Sequence, residues 1–272
     1  MNPFKLAIQV ATSGGSQIFL GAPWITFSLR VTPASLRKRI ALEWLATSPH
    51  YFFRTKDNST LRRGDFLKSE WIRNTESRQH LIEKIVGPHV KAGFTVLDYG
   101  CGPGFLAAQA SRIAERVIAC DISIGVLECA QVLNGNSNIN YVAVSKDGQI
   151  DVRDESVDLA YSFAVIQHVE DKIFHAILNE LHRTLKPGSV ALIHVVLAGQ
   201  EGWRSENDWR EDRSIAGRAK WMVGLHCFAR EAESVIAAGR SAGFCNINLE
   251  PVHSSGLSDD IAKQHLLTVT KP

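Results

Sequence analysis

The chain has 272 residues, enough to bury one sizeable core and carry an accessory region. Thirty Lys and Arg stand against 28 Asp and Glu, a formal net charge of +2, so the composition demands neither nucleic acid nor an anionic membrane. Five cysteines, at 101, 120, 129, 227 and 245, form no C-x-x-C pair; reduced thiols, a cytoplasmic setting and no structural metal are expected.

Residues 1–90 are expected to be an N-terminal extension and substrate lid. Its first 33 residues have low charge, with Ser13-Gly14-Gly15-Ser16 as a loop and short β-favouring runs on either side. The apolar run 18–29 is broken by Gly21 and Pro23 and closed by Arg30, far short of the ~20 residues that span a bilayer. A secretory leader pattern is also absent, so no membrane span is expected. Residues 34–47 place Leu36, Ile40, Leu42, Trp44 and Leu45 at helical spacing, with Arg37, Lys38 and Arg39 between them. These and the basic residues at 54, 56, 62 and 63 read as solvated faces rather than a nucleic-acid surface. A helix over 77–86 leads into the first core strand.

From residue 91 the pattern changes. Strand-like runs near 94–98, 116–121, 139–144, 157–162 and 189–196 alternate with helical spacings, which predicts a parallel sheet covered on both faces. The first strand ends in Asp98-Tyr99-Gly100-Cys101-Gly102-Pro103-Gly104-Phe105 and opens into a helix. Glycines in such a turn let the backbone approach a ligand where a β-carbon would collide. The spacing is G-x-G-x-G, and Phe105 stands where a dinucleotide turn needs a small residue, which argues against NAD. The second strand ends in Asp121, which is placed either to accept both ribose hydroxyls or to cap the next helix. Asp147-Gly148 follows the third strand and is, by itself, an ordinary turn. The fourth strand lies within the segment 154–169, and Leu185-Lys186-Pro187-Gly188-Ser189 leads from a helix into the fifth.

These five elements, in this order, resemble the class I S-adenosylmethionine-dependent methyltransferases. The resemblance implies an α/β fold: a doubly wound, seven-stranded, mostly parallel Rossmann-like sheet with its last strand antiparallel, here behind a helical N-terminal extension. Residues 91–272 then form the cofactor-binding domain, with a lid insertion at about 198–228, a helix over 228–243 and a closing strand pair. S-adenosylmethionine is the implied cofactor. Asp98, Tyr99, Gly100, Cys101, Gly102 and Gly104 are implied at its methionine end, Asp121 on the ribose and Asp147 at the adenine amino group. Ile122, Gly148, Ser162 and Phe163 complete the implied set. Ser189 replaces the family's usual second glycine. Ser162-Phe163-Ala164-Val165 replaces the Asn/Asp-Pro-Pro-aromatic run of enzymes that methylate exocyclic amines, which disfavours such acceptors.

Methyl transfer from a sulfonium is an in-line displacement on activated carbon, so placement of the nucleophile counts most. A base matters when the acceptor must lose a proton, above all for an aliphatic hydroxyl. His168 matches the family position past the fourth strand; His194, in the fifth strand, and His226, after the insertion, are further candidates. Each is also readable as a packed structural histidine. Tyr51, Trp71, Trp203 and Trp221 are the expected aromatic walls of an acceptor site. The expected activity is methylation of a small-molecule acceptor, with O-methylation of a metabolite or sugar foremost. The alternatives are N- or C-methylation of a natural-product scaffold and a non-catalytic cofactor-binding partner protein. Nucleic acid is disfavoured as a partner, and a homodimer is compatible with the sequence.

Overall fold

The computed structural model describes residues 22–47, 51–52, 58–199, 203–222, 226–252 and 264–272. Among the described residues, three helices precede the sheet: α1 (Ala22–Val31), α2 (Ala34–Leu45) and α3 (Arg63–Leu81). The last continues through a π-helical turn, Ile82–Val86, and a 3-10 turn, Gly87–His89. From Ala22 onward the second of the expected β-favouring runs is therefore helical; residues 17–21, the first run and Ser13 to Ser16 lie outside the described residues. Ile25 and Leu29, four apart, fall on one face of α1 and are buried, and this packing overrides the β preference of the surrounding residues. The Trp44 indole donates to the Ser28 hydroxyl at 2.7 Å, tying α2 to α1.

The helix expected over 77–86 proves to be the end of the longer α3. Its early turns gave no apolar stripe because two of its buried positions are polar. Glu70 accepts from Asn58 at 3.2 Å and pairs with Arg73 at 2.8 Å, and the Asn74 amide donates to the Glu70 carbonyl.

The strands are β1 (Thr95–Tyr99), β2 (Arg116–Asp121), β3 (Ile139–Ala143), β4 (Val157–Ser162), β5 (Leu185–Val195), β6 (Cys245–Pro251) and β7 (His265–Thr270). They form one sheet in the order β3-β2-β1-β4-β5-β7-β6. Strands β1 to β5 run parallel, and β7 is antiparallel to both of its neighbours. This is the seven-stranded, mostly parallel sheet that the resemblance implies. Strand order reverses between β1 and β4, and the carboxyl edge at such a reversal is where sheets of this kind take ligands.

Among the described residues, six α-helices follow β1: α4 (Phe105–Ala110), α5 (Ile124–Asn134), α6 (Asp171–Thr184), α7 (Glu206–Glu211), α8 (Ile215–Met222) and α9 (Ala232–Ser241). Helix α6 buries Phe174, Ile177, Leu178 and Leu181, the i, i+3, i+4, i+7 stripe of an amphipathic helix. Each such side chain contributes about 1.5–3 kcal/mol on burial. They join Leu97 and Tyr99 of β1 on one face of the sheet, while Val96 packs on the other with Leu81 and Leu106. A third cluster joins α1, α2 and α3 to Phe105 and to Val126, Cys129 and Leu133 of α5.

Two boundaries differ from expectation. Strand β5 begins at Leu185, because Val157 pairs with Leu185 ahead of the Pro187-Gly188 irregularity. The helix expected from 228 begins at Ala232. Phe228 and Arg230 instead bridge in extended form to Arg204 and Leu197, which binds the insertion to the sheet edge. Asp158, within the fourth-strand motif, is a structural staple: it accepts from the Thr95 N–H at 2.9 Å and from the Lys186 ammonium at 2.6 Å.

Candidate functional site

The turn after β1 is held by left-handed backbone at Gly100 (φ 82°), Gly102 (φ 52°) and Gly104 (φ 77°). A β-carbon at Gly100 would stand 2.2 Å from the Val165 side chain, and one at Gly104 would stand 2.3 Å from the Tyr141 hydroxyl. Those two glycines answer to the protein's own packing. At Gly102 the neighbour is the ring of Tyr51, 3.2 Å from the notional β-carbon.

This turn borders a cleft. Of the implied cofactor set, Asp98, Gly100, Cys101, Gly102 and Phe163 line it, as does Tyr51. Gly104, Asp121, Ile122, Asp147, Gly148, Tyr99 and Ser162 do not. Three further lining residues, Asn74, Arg78 and Leu81, come from α3 and carry no motif that sequence reading could find. Their only signal is the tertiary placement of α3 across the end of β1.

Asp98 is 2% exposed, and among the described residues its Oδ2 has no hydrogen-bond partner. Burial first, then repulsion from Asp121, pushes its carboxyl up to about 8, against the opposing pull of Arg78 and the Ala107 N–H. Burial, reinforced by Arg73, lowers the Arg78 guanidinium to about 10. An unsatisfied buried carboxylate oxygen and a desolvated guanidinium in one cleft match the ammonium and carboxylate of an amino acid. The methionine portion of the implied cofactor therefore fits the residues present.

Asp121 answers to both of its readings in part. Its Oδ2 accepts the Gly102 N–H at 2.9 Å and its Oδ1 the Ser123 N–H at 2.8 Å, so one carboxylate fixes the glycine turn and the entry to α5. A carboxylate offers about four lone-pair sites; the Ile122 N–H also bonds it, which leaves about one for a ribose hydroxyl. Burial raises its pKa, and the burial and charge of this corner likewise raise that of the Tyr51 phenol. Ile122, 39% exposed, lies beside it. The Val144 N–H donates to the Asp121 carbonyl at 2.9 Å, which brings the loop after β3 to the same edge, with Asp147 exposed on it.

Strand alternation gives two of the implied residues side-chain partners within the fold. Tyr99 faces the opposite side of the sheet from Asp98's cleft, and its hydroxyl donates to the buried Gly148 carbonyl at 2.6 Å. Ser162 is fully buried, and its hydroxyl donates to the Tyr99 carbonyl at 2.8 Å, stapling β4 to β1. Tyr99 and Ser162 thus shape the edge from below, and Gly148 secures the loop.

The three histidines separate clearly. His194 is fully buried, and its Nδ1 accepts the Ala164 N–H at 3.2 Å, so its proton sits on Nε2 and no basic nitrogen remains. Burial first, then the charges of Arg78 and His168, lowers its pKa to about 3. This geometry is that of the packed structural histidine, one of the two readings its sequence position allows. His226 stacks on Trp221 at 4.5 Å and 19° and tilts against Phe228 at 4.9 Å; burial lowers its pKa as well. His168, in the 3-10 turn Ile166–His168, stays half-buried, with Nδ1 3.4 Å from the His226 carbonyl oxygen and 3.5 Å from the Cys227 thiol.

The expected aromatic walls also divide. Trp71 packs edge-on to Phe105 at 5.0 Å, and Phe52 lies 6.4 Å from the same ring. The Trp209 indole donates to the Cys227 carbonyl at 2.8 Å beneath the Arg204 guanidinium, 4.7 Å from the ring centroid. Trp221 belongs to that packed insertion, and Trp203 is half-buried at its start. Residues 48–50 and 53–54 of the expected lid lie outside the described residues. Among the described residues, no group of three His, Cys, Asp or Glu is placed to hold a metal.

A family model described as a methyltransferase domain matches residues 97–193. The malonyl-[acyl-carrier protein] O-methyltransferase of Yersinia pestis is 31% identical over 107 residues, covering 39% of this chain and 38% of that protein. The N-demethylindolmycin N-methyltransferase of Streptomyces griseus is 33% identical over 101 residues, covering 36% and 42%. The chain thus spans about two fifths of the length of the curated relatives it matches. In three dimensions it is similar to a phosphoethanolamine N-methyltransferase of Haemonchus contortus solved with S-adenosylmethionine. The TM-score is 0.52 at 17% identity, over 79% of this chain and 61% of that one. A methyltransferase structure from Mesorhizobium loti gives a TM-score of 0.53 at 19% identity, over 68% and 95%.

Proposed function

We propose that this chain, a member of the class I S-adenosylmethionine-dependent methyltransferases, transfers a methyl group to a small-molecule acceptor, with O-methylation of a metabolite or sugar as the leading reading. The observation that carries it is the cleft in which the glycine turn, the unsatisfied Asp98 carboxylate and Arg78 converge. Bound S-adenosylmethionine supplies an activated methyl on a sulfonium. Asp98 would accept from the ammonium, Arg78 would pair with the carboxylate, and Asp121 would take a ribose hydroxyl on its remaining lone-pair site. Tyr51 and Phe163 close the cleft and keep water from the reacting centre.

For an aliphatic hydroxyl acceptor, His168 is the base. A neutral imidazole with its proton on Nδ1, directed at the His226 carbonyl, acts as a base through its other ring nitrogen. For an amine, proximity alone suffices. N-methylation is the second reading, favoured because two of the three candidate bases are sequestered. A cytoplasmic setting is supported by the five cysteines, all free thiols in the fold.

Calorimetry with S-adenosylmethionine, its demethylated product and NAD tests the cofactor. Binding of the first two and not of NAD is expected, and NAD binding alone would overturn the reading. Transfer of labelled methyl to a panel of hydroxyl and amine acceptors then separates the two chemistries.

A further inference from the structure

We propose that the α1–α2 corner is a docking surface for an anionic lipid bilayer. Helix α1 presents Trp24, Phe27 and Val31 at i, i+3 and i+7, on the face opposite the buried Ile25 and Leu29. They are 67%, 60% and 63% exposed, and Leu36, near the start of α2, is 50% exposed. An isolated exposed apolar side chain is ordinary; a stripe of three with a fourth close by in the chain is not.

Charge decides what the stripe meets. Arg30, Arg37, Lys38 and Arg39 are all exposed on the same two helices, and the Arg37 guanidinium donates to the Thr32 carbonyl at 3.0 Å, one residue past Val31. The only acid on these helices, Glu43, pairs with Arg63 at 2.7 Å. A chain of net charge +2 therefore concentrates more than its whole excess at this corner. Aromatic and aliphatic side chains ringed by Arg and Lys are the composition that enters a headgroup layer: rings and branched chains reach the acyl boundary while the cations meet phosphate. A second copy is disfavoured, since an isologous contact would set four cations against four. Nucleic acid explains the cations but gives Val31 and Leu36 no partner.

The corner lies apart from the cleft chemistry, so binding to lipid and binding to cofactor can be read separately. Sedimentation of the full chain with phosphatidylcholine vesicles, and with vesicles in which phosphatidylglycerol replaces about a third of the lipid, tests the proposal. Binding to the anionic vesicles alone is expected, weakened by salt. The triple variant Trp24→Ser, Phe27→Ser, Val31→Ser and the separate variant Arg37→Glu, Lys38→Glu, Arg39→Glu should each lose roughly tenfold or more in vesicle affinity. Both should keep the circular dichroism and the S-adenosylhomocysteine affinity of the parent chain. Failure of the parent to bind anionic vesicles overturns the proposal. So does undiminished binding by the serine variant, a dimer in light scattering that the serine variant dissolves, or displacement from the vesicles by single-stranded RNA.

Discussion

Two aromatic regions flank the carboxyl edge of this sheet, and they do different work. The N-terminal helices set Phe52 and Trp71 around Phe105, the residue at which the glycine turn becomes α4. Phe52 is buried and Trp71 partly buried, and both pack behind Phe105, which lines the cleft. The insertion stacks Trp221, His226 and Phe228 on one another and anchors itself through Phe228 and Arg230. Its product is a position, the 226–227 backbone set against His168. Aromatic content alone made both regions read as acceptor walls; contact geometry packs one against Phe105 and sets the other's 226–227 backbone against His168.

The sharpest way to break this contrast is His168→Ala. With an aliphatic hydroxyl acceptor, kcat should fall about 100- to 10,000-fold while S-adenosylhomocysteine affinity stays near wild type, measured by steady-state kinetics and calorimetry. Wild-type turnover on such an acceptor would remove the residue from the mechanism and leave the insertion without an orienting role.

On the other side of the cleft, Gly102→Val should weaken S-adenosylhomocysteine binding by at least about 100-fold. The side chain must enter at φ 52° against the Tyr51 ring. Asp121→Ala should cost at least about tenfold, each lost charge-assisted bond being worth ~1.5–3 kcal/mol. Calorimetry decides both, with circular dichroism as the check on folding.

Stability separates the two regions next. Phe105, 5% exposed, should cost about 3–5 kcal/mol on change to Ala, read from urea melts. The more exposed Trp221 should cost less by the same measurement. Equal losses would mean that the insertion is as much a part of the core as the N-terminal helices.

The smallest expected effect is on pH. Folded Asp98 holds its proton up to about 8, whereas the unfolded group releases it near 3.8. Its contribution to stability is full below that lower value and is lost as pH rises through the upper one. A ligand ammonium needs the carboxylate, so S-adenosylhomocysteine affinity should climb as pH rises toward about 8, and Asp98→Asn should flatten the climb. His194 works with the opposite sign. Lowered to about 3, its neutral form supports the fold above the unfolded value of 6.5, and that support is lost as pH falls from there.

The sheet was legible in the sequence because its determinants are local. Strands that end in an acid and a glycine turn, and the amphipathic stripe of α6, each declare themselves within a few residues. Cleft residues in the turn were legible for the same reason. The side-chain partners of Tyr99 and Ser162 were not legible, because motif membership does not say which way a side chain points, whereas the pleat does. Arg78 was invisible: nothing in α3 distinguishes it from Arg73, five residues earlier, until the helix is laid over Asp98.

The sequence by itself determined the parallel α/β core, its strand ends and the acids placed there, since hydrophobic period and turn chemistry act over short stretches of chain. Only the tertiary structure decided which histidine is locked inside the sheet, which aromatic rings each tryptophan packs against and which α3 side chains meet Asp98. Those outcomes depend on burial and on charges brought together from distant segments, and desolvation is a property of the packed molecule rather than of any stretch of its chain.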